Sequence, residues 1–232
     1  MTKKIIFTPT LPIEDAYYPA PAYKSIPDWY KKTDSFIGSK KFRATEGSGN
    51  QTIKKCIPVF DSMCMGYIIK TYTDIYVTLT EDNISFYNWP MYEPISFHPT
   101  EQAKNHPIMN GRPFPKWINP WSIKTPKGYS CLFLPPMHNP NGIFTIMPAV
   151  VDTDSYINPV NFPFTLDDPN FEGMIPAGTP ICQVIPFKRN NFFMEISTAK
   201  EDLLSVERFK MTFNNKWVNN YKSKFWNKKQ YS

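Results

Sequence analysis

The sequence predicts an all-β core of sandwich or barrel type, led by an extended arm and closed by a C-terminal amphipathic helix. Three observations predict it. First, 18 Phe, 13 Tyr, 6 Trp and 24 Pro in 232 residues are hard to fit into helices, because rings favour a pleated surface and proline lacks the helical donor. Second, strand-like runs return every roughly ten to twenty residues, the rhythm of a sandwich or barrel and not of an α/β repeat. Third, the pattern changes after Thr198, where Phe209, Phe213, Trp217, Tyr221 and Phe225 fall at steps of four, a helical stripe. The expected division is 1–51 as arm, 52–197 as β domain and 198–232 as basic aromatic helix.

Within the arm, Pro9, Pro12, Pro19, Pro21 and Pro27 keep the backbone extended, and Tyr17, Tyr18, Tyr23, Trp29 and Tyr30 need a surface to lie on. That surface is either the arm's own domain or a neighbouring subunit. SIPDWYKK predicts one helical turn, with Ser25 as cap and Pro27 in its first turn. ATEGSGNQ, residues 44–51, is the candidate hinge.

Regular structure is expected from Thr52. TIKKCIPVF and GYIIKTYTDIYVTLT have strand composition, and Ile75, Val77 and Leu79 alternate with Tyr76, Thr78 and Thr80. Glu81-Asp82-Asn83 predicts a hairpin turn into ISFYNW. KWINPWSIKTP, GYSCLFLPP, IFTIMPAVVD, NPVNFPF and TPICQVIPF are the further strand candidates. Thr198 and Glu201 make a capping-box pattern for the last helix.

Net charge is +6, which reads as a lysine-biased surface or as affinity for an acidic partner. After Glu207 the chain has no acidic residue but carries Arg208, Lys210, Lys216, Lys222, Lys224, Lys228 and Lys229. The start meets Pro9 and Pro12 before an apolar core can form, so no secretory leader is expected. No apolar run approaches the roughly 20 residues of a bilayer span. Cys56, Cys64, Cys131 and Cys182 lack C-x-x-C spacing and read as reduced core residues.

The order of pieces between Thr125 and Arg189 resembles the core of the dUTP pyrophosphatase and dCTP deaminase superfamily. Pro126-Lys127-Gly128-Tyr129 matches its P-x-G-Y strand entry, and Ala149 to Tyr156 (AVVDTDSY) its strand ending in Asp and Tyr. Ala177 to Val184 (AGTPICQV) matches its closing G-x-x-I-x-Q strand. The likeness covers little more than a quarter of the chain. It implies a jelly-roll or dUTP-pyrophosphatase-like β core, and a trimer as the first oligomer to test. It also implies Asp152, Tyr156 and Gln183 as the residues that would hold a nucleotide at a subunit boundary.

Several family features are missing. Where the family carries an Arg-Ser-Ser type turn, this chain reads Leu134-Pro135-Pro136-Met137-His138-Asn139, and two prolines remove backbone donors from a phosphate site. Met65-Gly66-Tyr67-Ile68 could stand for the family's Ala-Gly-Tyr-Asp-like turn, with Ile68 in place of its Asp. The tail is a lysine-rich helix and not a glycine flap. The whole chain also resembles a family found in tailed-phage genomes, through IPDWYK, TIKKCIPVF, VVDTDSY and GTPICQVIPFKR.

Asp152, Asp154, Asp167, Asp168 and Glu172 lack the Gly and spaced Glu of a calcium loop and read as turn residues. His98, His106 and His138 match no zinc spacing. No G-x-S-x-G, H-E-x-x-H or GxxxxGK[ST] motif occurs. No catalytic residue, metal ligand or cofactor is assigned.

These readings converge on a non-catalytic structural or interaction protein, a phage virion component or accessory factor. It would be made in the host cytoplasm, with the virion open as a destination. The alternative is a nucleotide-binding or nucleotide-hydrolysing enzyme of the dUTP pyrophosphatase/dCTP deaminase type. Expected partners are copies of itself and other virion or phage proteins, met through Trp29, Tyr30, Trp217, Tyr221 and Phe225. Nucleic acid is a further partner class, reached through the basic tail.

Overall fold

Short β-branched and aromatic runs become short strands in the computed structural model, which describes residues 3–38, 50–80, 83–88, 93–108, 114–214 and 220–231. The chain divides into two compact units. One joins Met1–Ser25 to Met65–Arg189, and the other joins Ile26–Cys64 to Asn190–Ser232.

The first unit holds every described strand. β1 (Ile6–Pro9) and β2 (Ala20–Pro21) come from the proline-rich start, and β3 (Tyr67–Lys70) follows Gly66. β4 (Ile75–Thr80) and β5 (Asn83–Tyr87) are the expected hairpin, in register from Tyr76 opposite Tyr87 to Thr80 opposite Asn83. Asn83 belongs to β5, while Glu81 and Asp82 lie outside the described residues. Then come β6 (Ile95–His98), β7 (Phe114–Trp117), β8 (Trp121–Lys124), β9 (Tyr129–Leu134), β10 (Phe144–Ile146), β11 (Ala149–Val151), β12 (Phe162–Leu166), β13 (Gly173–Ile175) and β14 (Pro180–Lys188).

All pairings among the described residues are antiparallel, in sheets ordered β11-β9-β14-β3-β2, β10-β12-β7-β6, β13-β4-β5 and β1-β8. The mostly β architecture is therefore as expected.

Period-two alternation decides which side chains enter the core. Ile75 and Val77 are buried while Tyr76 between them is 53% exposed. Phe133, Phe162 and Phe164 join Trp117, Phe144, Ile175 and Val184 in one apolar cluster. Phe164 lies 5.0 Å from Trp117 and 5.6 Å from Phe144, ring centre to ring centre.

Three expected strands break in two. IFTIMPAVVD splits at Met147-Pro148: proline has no ladder donor, and the Met147 N–H turns to the Pro163 carbonyl at 2.8 Å. KWINPWSIKTP splits around Asn119, whose buried amide donates to Trp121 O at 2.9 Å and accepts from Trp121 N–H at 3.2 Å. GYIIKTYTDIYVTLT splits after Lys70, where the Thr71 hydroxyl donates to Pro176 O at 2.8 Å and Asp74 accepts from Ala177 N–H at 2.7 Å.

The arm's residues up to Ser25 lie on their own unit. β1 pairs with β8, β2 pairs with β3, and Tyr18 meets Trp121 edge-on at 5.1 Å.

The second unit holds the helices α1 (Asp28–Lys32), α2 (Ile57–Cys64), α3 (Lys200–Asn214) and α4 (Asn220–Lys224). TIKKCIPVF is thus not a strand. Thr52 accepts a hydrogen bond from Lys54 N–H at 3.2 Å and opens a short 3-10 turn. Pro58 then sits in the first turn of α2, where a missing N–H costs nothing. Burial of Asp61, Met63 and Cys64 on one face outweighs the β-branched composition, which is only a weak prior.

α1 appears where a turn was expected, but Pro27 and not Ser25 precedes it, without a side-chain cap. α3 begins at Lys200, and Ala199, not Thr198, precedes it, its carbonyl accepting from Leu203 N–H at 3.2 Å. The Ser197 hydroxyl accepts from Ala199 N–H at 3.3 Å and donates to the Asp202 carboxylate.

Candidate functional site

Two places gather polar chemistry, one in each unit. In the first unit, three pieces of the Thr125–Arg189 stretch converge on Arg189 at the end of β14. Its guanidinium donates to both oxygens of Asp154, at 2.9 and 2.5 Å, and to Asp152 at 3.2 Å. It also reaches the Ser130 hydroxyl at 3.0 Å and the Tyr129 carbonyl at 3.1 Å. Ser130 donates to Asp152 at 2.6 Å, and the Gly128 N–H donates to Asp154 at 2.7 Å. This is a two-pronged Arg–carboxylate pair with further contacts from the strand entry.

Below it, the fully buried Thr153 hydroxyl meets Thr125 at 2.8 Å and the Cys131 sulfur at 3.3 Å. Asp152 and Tyr156 are joined through the turn, since Tyr156 N–H donates to the Asp152 carbonyl at 2.9 Å.

Gln183 is elsewhere. Val151 pairs with Cys131, whereas Gln183 pairs with Leu134. Asp152, the next residue after Val151, therefore comes level with Ser130. Four residues of β9 separate Ser130 from Leu134, about 13 Å of strand. Gln183 is 1% exposed, and its amide bridges two backbones. Its oxygen accepts from Met137 N–H at 2.9 Å and its nitrogen donates to Met65 O at 2.7 Å. The first backbone donor after Pro135-Pro136 thus faces inward, while His138 takes a left-handed φ of 58° and Asn139 N–H closes the turn on Pro136 O at 3.1 Å.

The structure brings Asp152 and Tyr156 together and sets Gln183 apart from them within one chain. Sequence reasoning missed Arg189 and Ser130. Nothing local marks them, because Arg189 finds its carboxylates 35 and 37 residues away.

Hydrogen bonds from Arg189, and then from the Gly128 N–H, hold the Asp154 carboxyl down at about 2, against its ordinary 3.8. A depressed carboxyl stabilises the fold above its ordinary range, and that contribution disappears as pH falls through the folded value. Asp154→Asn is therefore expected to be less stable than the parent at pH 6. The gap should narrow between pH 4 and 2, as read from urea midpoints at each pH. A gap constant across that range would remove the ion pair from the stability of this corner.

The other acids are engaged locally. Asp167 accepts from the Thr145 hydroxyl at 2.6 Å, Asp168 from Asn170 N–H at 2.8 Å and Glu172 from Leu79 N–H at 2.9 Å. Among the described residues no group of three His, Cys, Asp or Glu is placed to hold a metal ion. The cysteines are free. Burial raises the Cys131 and Cys182 thiols, and burial followed by the Asp61 charge lifts Cys64 to about 11. These thiols stay protonated at neutral pH and are poor nucleophiles.

In the second unit, Tyr30, Phe60 and Trp226 with Lys31, Lys54 and Lys222 line a cavity of about 310 Å³. Rings and lysines together suit a flat anion. Two of those charges already have partners, however. Lys54 donates to the carbonyls of Tyr30 and Lys31 at 2.5 and 3.1 Å, and Lys31 pairs with Asp28 at 3.3 Å.

Beside the cavity, Asp61 on α2 receives the end of the chain. It accepts from Trp226 Nε1 at 2.9 Å, and from Lys229 and Tyr231. Burial works to raise the Asp61 carboxyl, yet these three hydrogen bonds outweigh it and hold it below the usual range. The last residues are thereby fastened to α2.

Of the residues assigned to partner contacts, Tyr30 is buried against Phe60 in its own unit, with ring centres 6.2 Å apart. Trp29, Tyr221 and Phe225 are each about two-fifths exposed, and Phe225 packs against Phe209 at 5.1 Å. Trp217 lies outside the described residues.

A larger exposed surface was read in the sequence only in its helical part. Phe192, Phe193, Met194 and Ile196 are 88%, 95%, 89% and 79% exposed, and α3 follows them with Leu203, Val206, Phe209 and Met211 at half exposure or more. The signal was present as FFMEI before a helix, but apolar runs are read as core by default.

Among the described residues no helix is long and apolar enough to cross a membrane. No family model matches the chain, and no curated protein matches it.

Proposed function

We propose that this chain is a non-catalytic structural or interaction protein, a component or accessory factor of a phage particle made in the host cytoplasm. Its β core, of jelly-roll or dUTP-pyrophosphatase-like type, serves as the platform for contacts with further copies and with other phage proteins. The observation that carries this reading is the set of exposed apolar residues between Phe192 and Met211. Exposed apolar residues in such number mark an interface, because water disfavours them on a free-standing chain.

The existing bonds of two of the three nucleotide candidates support the same reading. Asp152 shares Arg189 with Asp154, and Gln183 is enclosed between two backbones. The donor-rich turn needed to bind a triphosphate has no counterpart at residues 134–139.

The test is thermal-shift measurement with dUTP and dCTP, with and without magnesium, alongside an assay for pyrophosphate release. An unchanged midpoint and no pyrophosphate are expected, and the protein should copurify with particles. A stabilisation that disappears in Asp152→Ala would replace this reading with the nucleotide-binding one, since a ligand of the folded state must raise the midpoint.

A further inference from the structure

We propose that a second copy of this chain covers the exposed face of α3, the two helices lying antiparallel about a two-fold axis. The Phe192–Ile196 segment of each copy is drawn into the same contact. This rests on the interaction-protein reading and names the partner and the element.

Three observations carry it. The first is exposure: along Lys200–Met211 every residue is exposed, although Leu203, Leu204, Val206, Phe209 and Met211 are apolar. A helix with five of these twelve residues apolar does not normally stand in water, because its stability in a protein comes from packing that face.

The second is area. An aromatic side chain carries about 150–250 Å². Phe192, Phe193 and the apolar residues of α3 together therefore offer roughly the 800 Å² per partner of a standard interface.

The third is charge, and it selects the partner. The first half of α3 carries Lys200 against Glu201, Asp202 and Glu207, a net −2. The second half carries Arg208 and Lys210 with no acid, a net +2. Antiparallel pairing sets −2 against +2 twice over, whereas parallel pairing sets like against like. A two-fold contact must be complementary to itself, and this helix is so in one orientation only.

The experiment measures self-association of the full chain by analytical ultracentrifugation across a dilution series at low salt. Four forms are compared: the parent, Glu201→Lys with Glu207→Lys, Arg208→Glu with Lys210→Glu, and all four changes together. The first pair makes both halves of α3 +2, and the second pair makes both −2. Each pair should weaken self-association by roughly tenfold or more, since facing like charges are strongly disfavoured.

The fourfold form restores opposite charges across the contact and should recover the parent's affinity. Circular dichroism confirms that the helices are kept. A monomeric parent, charge pairs without effect, or a fourfold form no better than either pair would each overturn the proposal. A monomeric parent that still copurifies with particles would leave the interaction reading standing and remove this one.

Discussion

Replacing Gly66 by alanine is expected to destabilise the β unit by about 4 kcal/mol, a large fraction of the roughly 5–15 kcal/mol that holds a domain folded. Two effects add. Gly66 has φ +74°, in the left-handed region where a Cβ costs roughly 1–2 kcal/mol. The added Cβ would also stand 2.1 Å from the Val184 carbonyl oxygen and 3.0 Å from its carbon. That neighbour is backbone in the centre of β14, so it cannot rotate away, and forcing it aside costs roughly 1–3 kcal/mol more.

Gly66 also presents its own carbonyl to Ala22 N–H at 2.9 Å, so any shift reaches the turn that follows β2. Urea unfolding of Gly66→Ala measures this. A loss under about 1 kcal/mol would mean that Gly66 does not approach β14 so closely. Gly178 makes the contrast: its φ is +85°, but the nearest atom to an added Cβ is a Tyr17 ring carbon at 3.8 Å.

Gln183→Leu is expected to cost about 3 kcal/mol. Leucine fills the same space without either hydrogen bond, stranding the Met137 N–H and the Met65 carbonyl that the amide now joins. Each buried backbone group left unsatisfied costs about 1–3 kcal/mol.

Gln183→Glu separates bonding from shape, because a carboxyl can still accept from Met137 but can donate to Met65 O only when protonated. Its deficit should therefore shrink as pH falls towards 4, while that of Gln183→Leu should not. Equal deficits for both variants at every pH would show that the amide's hydrogen bonds contribute little.

These two positions also show how much could be read in advance. Gln183 was legible as part of a strand motif, and its burial follows from that. Its task did not follow, because both partners lie in loops 46 and 118 residues away. Gly66 was visible as a glycine at a strand entry, but the carbonyl it must clear belongs to β14. Ile75, Val77 and the hairpin were legible because period-two alternation is a local property of four to six residues. Ile57–Cys64 was misread for the complementary reason: its β-branched residues point to a strand, and only the face buried in the second unit makes a helix preferable.

By itself the sequence determined the mostly β composition, the short strands, a helix after Thr198, and the missing backbone donors at Pro135-Pro136. All of these depend on the intrinsic geometry of neighbouring residues. Tertiary structure decided which strands share a sheet, that Arg189 closes on Asp152 and Asp154, that Asp61 binds Trp226, Lys229 and Tyr231, and that the apolar residues of α3 stay largely exposed. Those outcomes turn on which groups meet across dozens of residues, and burial and hydrogen bonding select partners by position in space, which a linear pattern does not encode.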